Sequence, residues 1–182
     1  MSHIRGMDAI EALLQRLPPE TEDLATNLRR VLAGESMDAE LTWGVALAAA
    51  YHIGRTELSA AVLADARAAG VPDAVLEDAR AAAAIMGMNA VYYRFRHLMD
   101  SATYNERPAN LRMTRMQKVA TTRARFELLS VGPAALAGCQ MCLQVHEAAV
   151  LKDGMTADNV HDAVRVASVL NGVAVALAAA EA

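Results

Sequence analysis

Cysteine is nearly absent from this chain: Cys139 and Cys142 are the only two. One pair excludes the multi-bridge framework that staples small secreted domains. A structural zinc needs two further ligands beyond one Cys-x-x-Cys, and there is no second cysteine pair. His3, His52, His97 and His161 are scattered, with none two to five residues from another. Haem attachment needs a histidine directly after the second cysteine, where Leu143 stands. Aromatics are scarce, at 4%, against 54% apolar residues. The core must therefore be built from Ala, Leu, Val and Met, which suits close-packed helices better than a sheet.

Concentrated charge is also missing. The net charge is −4. Arg112, Arg115, Lys118, Arg123 and Arg125 form only a loose basic cluster, read as a solvated face, so nucleic acid is not an expected partner. Long apolar runs are lacking too. Val166 to Ala180 is interrupted by Ser168, Asn171 and Gly172 and reads as a buried helix, so no membrane span is expected. Met1 to Arg16 has no apolar secretory core, which points to the cytoplasm, where a cysteine pair is more often catalytic than structural. Met1 to Gly6 reads as a vector-derived tail before Met7. Residues 7–182 are then one domain.

Periodicity and punctuation predict helices throughout, and an all-α fold. The expected helices are Met7 to Leu17, Glu20 to Ala33, Met37 to Tyr51 capped by Ser36, one capped by Thr56 and running to Ala69, and Asp73 to Met99. Gly87, inside the last of these, should permit close packing against another helix. Asp100 to Asn110 reads as a loop, and Leu111 to Thr122 as a short helix and turn. A helix holding Phe126 and Glu127 should kink or break at Gly132-Pro133. Helices from Gly138 to Lys152 and from Thr156 onward complete the chain. Shifting the chain by 84 residues brings Gly70 onto Gly154 and Asp78-Ala79 onto Asp162-Ala163, which suggests two related halves. Arg55 then falls on Cys139 and Leu58 on Cys142, leaving the thiols to the C-terminal half.

The chemistry concentrates in Gly138-Cys139-Gln140-Met141-Cys142-Leu143-Gln144-Val145-His146. Residues three and four apart on a helix share a face, so Cys139, Cys142 and His146 lie together. A helix start lowers a nearby thiol pKa. Two adjacent thiols can close into a disulfide, and an imidazole can take a thiol proton. Redox chemistry follows. The helix start favours Cys139 as the more acidic and exposed attacking thiol, whereas the nearby imidazole favours Cys142.

The chain resembles the alkyl hydroperoxidase D (AhpD) family, within the wider carboxymuconolactone decarboxylase-like superfamily. The resemblance rests on Ala83 to Arg94, with its Met86-Gly87-Met88-Asn89, on Leu111-Arg112-Met113, on Phe126-Glu127-Leu128, and on the cysteine segment with Val145-His146-Glu147. It implies an all-helical subunit in a homotrimer, reducing alkyl hydroperoxides without a tightly bound cofactor. It implies Cys142 as the peroxidatic thiol, passing through a sulfenic acid. Cys139 would be the resolving thiol that exchanges with partners, and Glu127 and His146 the proton-handling pair. Electrons would come from dihydrolipoamide on a dihydrolipoamide acyltransferase, recharged by dihydrolipoamide dehydrogenase and NADH. The implied partner is the peroxiredoxin alkyl hydroperoxide reductase C. One residue departs from the family pattern: Met141 stands where familiar members carry histidine, and a thioether cannot relay protons. That keeps alive a redox adaptor with little peroxidase activity. The superfamily's lactone decarboxylation, which needs no dithiol, is a further rival.

Overall fold

Polar caps and glycines punctuate an alanine-rich chain into helices. In a computed structural model, which describes residues 6–181, these are α1 (Asp8–Leu14), α2 (Glu22–Leu32), α3 (Ala39–Ile53), α4 (Thr56–Ala68), α5 (Asp73–Met99), α6 (Ala102–Asn105), α7 (Arg123–Leu136), α8 (Gln140–Lys152) and α9 (Ala157–Ala179). Single 3₁₀ turns occupy Pro19–Thr21 and Thr114–Gln117. The described residues contain no strand, so the fold is all-α. Residues 1–5 of the expected vector-derived tail lie outside the described residues.

Several local expectations need correction. Asp38, not Ser36, caps α3: its carboxylate accepts from Leu41 N at 2.7 Å. Ser36 is held instead by Asp162. Arg55, not Thr56, precedes α4, without a side-chain cap. Asp100 to Asn110 is not all loop, because it includes the short α6. Pro133 does not break α7; it stands in the last turn, where its missing N–H forfeits a single helical bond. Gly87 is exposed, and a Cβ there would meet nothing within 4 Å. The close approach belongs to Gly44, where a Cβ would lie 2.8 Å from Val75 and 2.9 Å from Leu129. By length and composition α9 can cross a membrane despite its polar interruptions, but half of its apolar window is buried inside the subunit.

Alanine allows α3 and α7 to pack at the centre, each against both α5 and α9. Leu41 to Ala50 and Phe126 to Ala134 are buried without a break, as in helices apolar on every side. Around them, α4 covers α3, α8 covers α7, α1 rests on α4 and α2 on α9. The two halves correspond element by element. Ala39, Thr56 and Asp73 begin α3, α4 and α5; 84 residues on, Arg123, Gln140 and Ala157 begin α7, α8 and α9. Both corners also match: Gly54 and Gly138 are left-handed, and Arg55 and Cys139 are the next helix's N-caps.

The related aspartates clasp across this pseudo-symmetry. Asp162 on α9 accepts from Ser36 N (2.9 Å) and Oγ (2.6 Å), just ahead of α3. Asp78 on α5 is fully buried and accepts from Ala120 N (2.9 Å), Thr121 N (2.8 Å), Thr121 Oγ1 (2.7 Å) and Arg115 Nη2 (2.8 Å), just ahead of α7. Asp78 thus ties the segment carrying Met113 and Met116 to α5. Burial pushes its carboxyl up, but these donors outweigh it and hold the pKa below the usual carboxylate range. Its contribution to stability is therefore complete above the unfolded-state pKa, about 3.9. It is lost as pH falls through the lower folded-state value. Asp78→Asn should cost about 3 kcal/mol near neutral pH in urea unfolding. That cost should fade in acid, where the wild-type carboxyl protonates.

Candidate active site

The corner between α7 and α8 is one residue long in effect. Gly138 takes φ +63°, a left-handed conformation that costs glycine little. It lets Cys139 N reach Ala134 O at 3.1 Å and Gly138 N reach Ala135 O at 3.0 Å, closing α7 with a Schellman turn. Cys139 is also the N-cap of α8, and its sulfur accepts from Cys142 N at 3.3 Å. Both sulfurs therefore sit in the first turn of α8, where free N–H groups and the helix dipole favour negative charge. They are joined as a disulfide, with S–S 2.14 Å and Cα–Cα 5.3 Å.

One turn beyond Cys142, His146 is buried against α7. Its Nδ1 lies 2.5 Å from Glu127 Oε2. An ionised carboxylate only accepts, so Nδ1 is the donor. Nε2 lies 3.2 Å from Met86 Sδ on α5, a contact that is a hydrogen bond only when Nε2 carries a proton. In the disulfide form Nδ1 thus meets Glu127 and Nε2 meets Met86. The other oxygen of Glu127 is in ion-pair contact with Arg123, one turn earlier on α7, without the angle of a hydrogen bond. Burial pushes the Glu127 carboxyl up. The hydrogen bond and charge of His146, joined by Arg123, outweigh that and hold its pKa below the usual range.

Cys142 and His146 open onto a cavity of about 290 Å³. Its walls are Met86, Met113, Met116 and Met141, with Tyr93, Val145 and Asn89. Cys139 is not in that wall and is 0% exposed, so it is not the more exposed thiol that its place at the helix start suggested. Met86 and Met141 line this cavity, whereas Met88 is exposed and is not part of its wall. Tyr93 lines the cavity, while Trp43 is buried and Glu147 is exposed. No helical periodicity placed Met113 or Met116 here, because the Asp78 clasp brings them in. Among the described residues, no group of three or more His, Cys, Asp or Glu side chains is placed to hold a metal ion.

Known proteins are similar to this chain along most of its length. Residues 102–182 match the carboxymuconolactone decarboxylase family. The alkyl hydroperoxide reductase AhpD of Anaeromyxobacter dehalogenans strain 2CP-1 is 46% identical over 171 residues, covering 94% of this chain and 91% of that protein. The AhpD of Rhodospirillum centenum is 43% identical over 169 residues, 93% and 90% of the two chains. That of Maricaulis maris is 40% identical over 171 residues, 94% and 98%. The chain belongs to the AhpD family. At family level it is a peroxidase-type enzyme of AhpD redox function, and its dithiol is present as a closed pair.

The halves show what is special to this AhpD-type site. In the first half, the positions matching Glu127, Cys142 and His146 hold Trp43, Leu58 and Val62, all buried. The fold accepts apolar residues there, so the polar set is not needed to build the helices. Replacing Glu127 by glutamine keeps the shape and removes the charge that balances an imidazolium. In the reduced protein, Glu127→Gln should slow alkylation of the cysteines by iodoacetamide several-fold at neutral pH, with unchanged helical circular dichroism. An unchanged alkylation rate would show that the carboxylate has no hold on the thiols.

Proposed function

We propose that this chain reduces organic hydroperoxides through a Cys139/Cys142 dithiol–disulfide cycle, with Cys142 as the attacking thiol. The observation that carries the reading is that Cys142, and not Cys139, lines the apolar cavity beside His146. Once the disulfide is reduced, His146 accepts the Cys142 proton, held in orientation by Glu127. The thiolate attacks the terminal peroxide oxygen, forming an S–O bond as the O–O bond breaks. The leaving alkoxide takes a proton from the imidazolium and departs as the alcohol. Cys139 then attacks the sulfenic sulfur, releases water and restores the disulfide.

The recharging dithiol is dihydrolipoamide on a dihydrolipoamide acyltransferase, itself reduced by dihydrolipoamide dehydrogenase. Because Cys142 faces the cavity, the incoming thiolate attacks Cys142 and expels Cys139. The α8 helix start stabilises that leaving thiolate, which speeds exchange. The second lipoyl thiol frees Cys142 and leaves lipoamide oxidised. The same dithiol reduces a partner peroxiredoxin of the alkyl hydroperoxide reductase C type. The subunits form a homotrimer, which supplies cover for exposed apolar residues of α5 such as Val91 (62% exposed) and Leu98 (74%).

Met141 favours a second reading. An apolar side chain in the cavity wall relays no protons, which suits an adaptor that passes electrons to the peroxiredoxin without consuming peroxide itself. Peroxide consumption with dihydrolipoamide separates the two. The enzyme reading expects turnover of cumene hydroperoxide without added peroxiredoxin; the adaptor reading expects none until it is added. In the same assay Cys142→Ser should fall to background, and Cys139→Ser should stop turning over with a trappable sulfenic acid on Cys142. A sulfenic label on Cys139 alone in the converse variant would reverse the assignment.

A further inference from the structure

The cavity wall carries a buried carboxamide that this chemistry leaves unused. Asn89 lies on α5 one helical turn after Met86, whose sulfur touches His146. It is only 6% exposed, yet it shares the cavity wall with Cys142 and His146. Its Nδ2 lies 3.1 Å from Met113 Sδ, while its Oδ1 is buried with no hydrogen-bond partner among the described residues. A buried carboxamide oxygen without a donor lowers stability, so its presence asks for a reason. The fold does not supply one. Val173, fully buried, holds the matching position in the other half.

We propose that Asn89 is the substrate-orienting residue of the cavity, its Oδ1 accepting a hydrogen bond from the O–H of an alkyl hydroperoxide. The inference rests on the peroxidase reading above and adds how the peroxide is held. A hydroperoxide has one O–H donor, on the terminal oxygen that the thiolate attacks. Seating that hydrogen on Asn89 turns the terminal oxygen towards Cys142 and leaves the alkoxy oxygen on the His146 side. The organic group then lies against Met113, Met116 and Tyr93. Sulfur is oxidised as the S–O bond forms, the O–O bond is reduced and broken, and the alkoxide takes its proton from His146. Asn89 exchanges no proton; it contributes orientation. It also discriminates, because a dialkyl peroxide has no O–H and leaves the oxygen unpaired.

The test separates the two half-reactions. Reduced wild-type protein and Asn89→Leu are mixed with excess cumene hydroperoxide and thiol loss is followed; reduction of each disulfide by dithiothreitol is timed separately. Asn89→Leu should slow oxidation about ten- to a hundredfold. It should leave reduction unchanged and unfold at the wild-type temperature or above it. Asn89→Ala serves if the leucine variant does not fold. An unchanged oxidation rate in a folded variant overturns the inference. So does an equal loss in both half-reactions, which marks a structural role. Wild-type thiols that ignore cumene hydroperoxide sink the peroxidase reading itself, and this inference with it.

Discussion

A carboxylate and an imidazole, both buried between α7 and α8, set the terms for the rest of this molecule. Glu127 and His146 meet at 2.5 Å where the surrounding side chains are apolar. Taking such a pair out of water has a cost that its attraction offsets only in good geometry. The geometry is fixed by helices, not loops. Arg123 flanks the carboxylate from one side, and Met86 receives the far nitrogen of the ring from α5. Trp43 and Val62, in the matching places of the other half, show the fold satisfied without charge. The pair therefore makes sense as chemistry built into a scaffold that does not require it.

The scaffold's contribution is placement. A single left-handed glycine closes α7 and makes the next residue the cap of α8, so Cys139 has little freedom of position. The first turn then brings Cys142 within bonding distance. The same corner occurs between α3 and α4, where Arg55 is the cap and pairs with Glu57 and Glu181. One backbone device thus serves an ion cluster in one half and a redox pair in the other.

Much of this was legible in the chain. Helical spacing alone put Cys139, Cys142 and His146 on one face, and the 84-residue shift gave the correspondence of α3–α5 with the opening of α7–α9. Local signals were read less well where tertiary contacts decide. Ser36 looked like a cap, but Asp162, far away in sequence, claims it. Gly87 looked like a packing glycine, whereas Gly44 and Gly132 meet neighbouring helices. Pro133 looked like a break because its position in the last turn was not visible. Met113 and Met116 reach the cavity through the Asp78 clasp, a long-range contact with no local periodicity. The cover over Cys139 comes from the packing of α5, α7 and α8, and a helix-start rule does not register it.

The central claim is that the two sulfurs cycle with a peroxide as oxidant. It is tested most directly by counting thiols in the reduced, purified protein before and after one equivalent of cumene hydroperoxide. The account predicts two thiols before and none after, one equivalent of cumyl alcohol released, and a peptide map joining Cys139 to Cys142. Two thiols surviving alongside intact peroxide would contradict it.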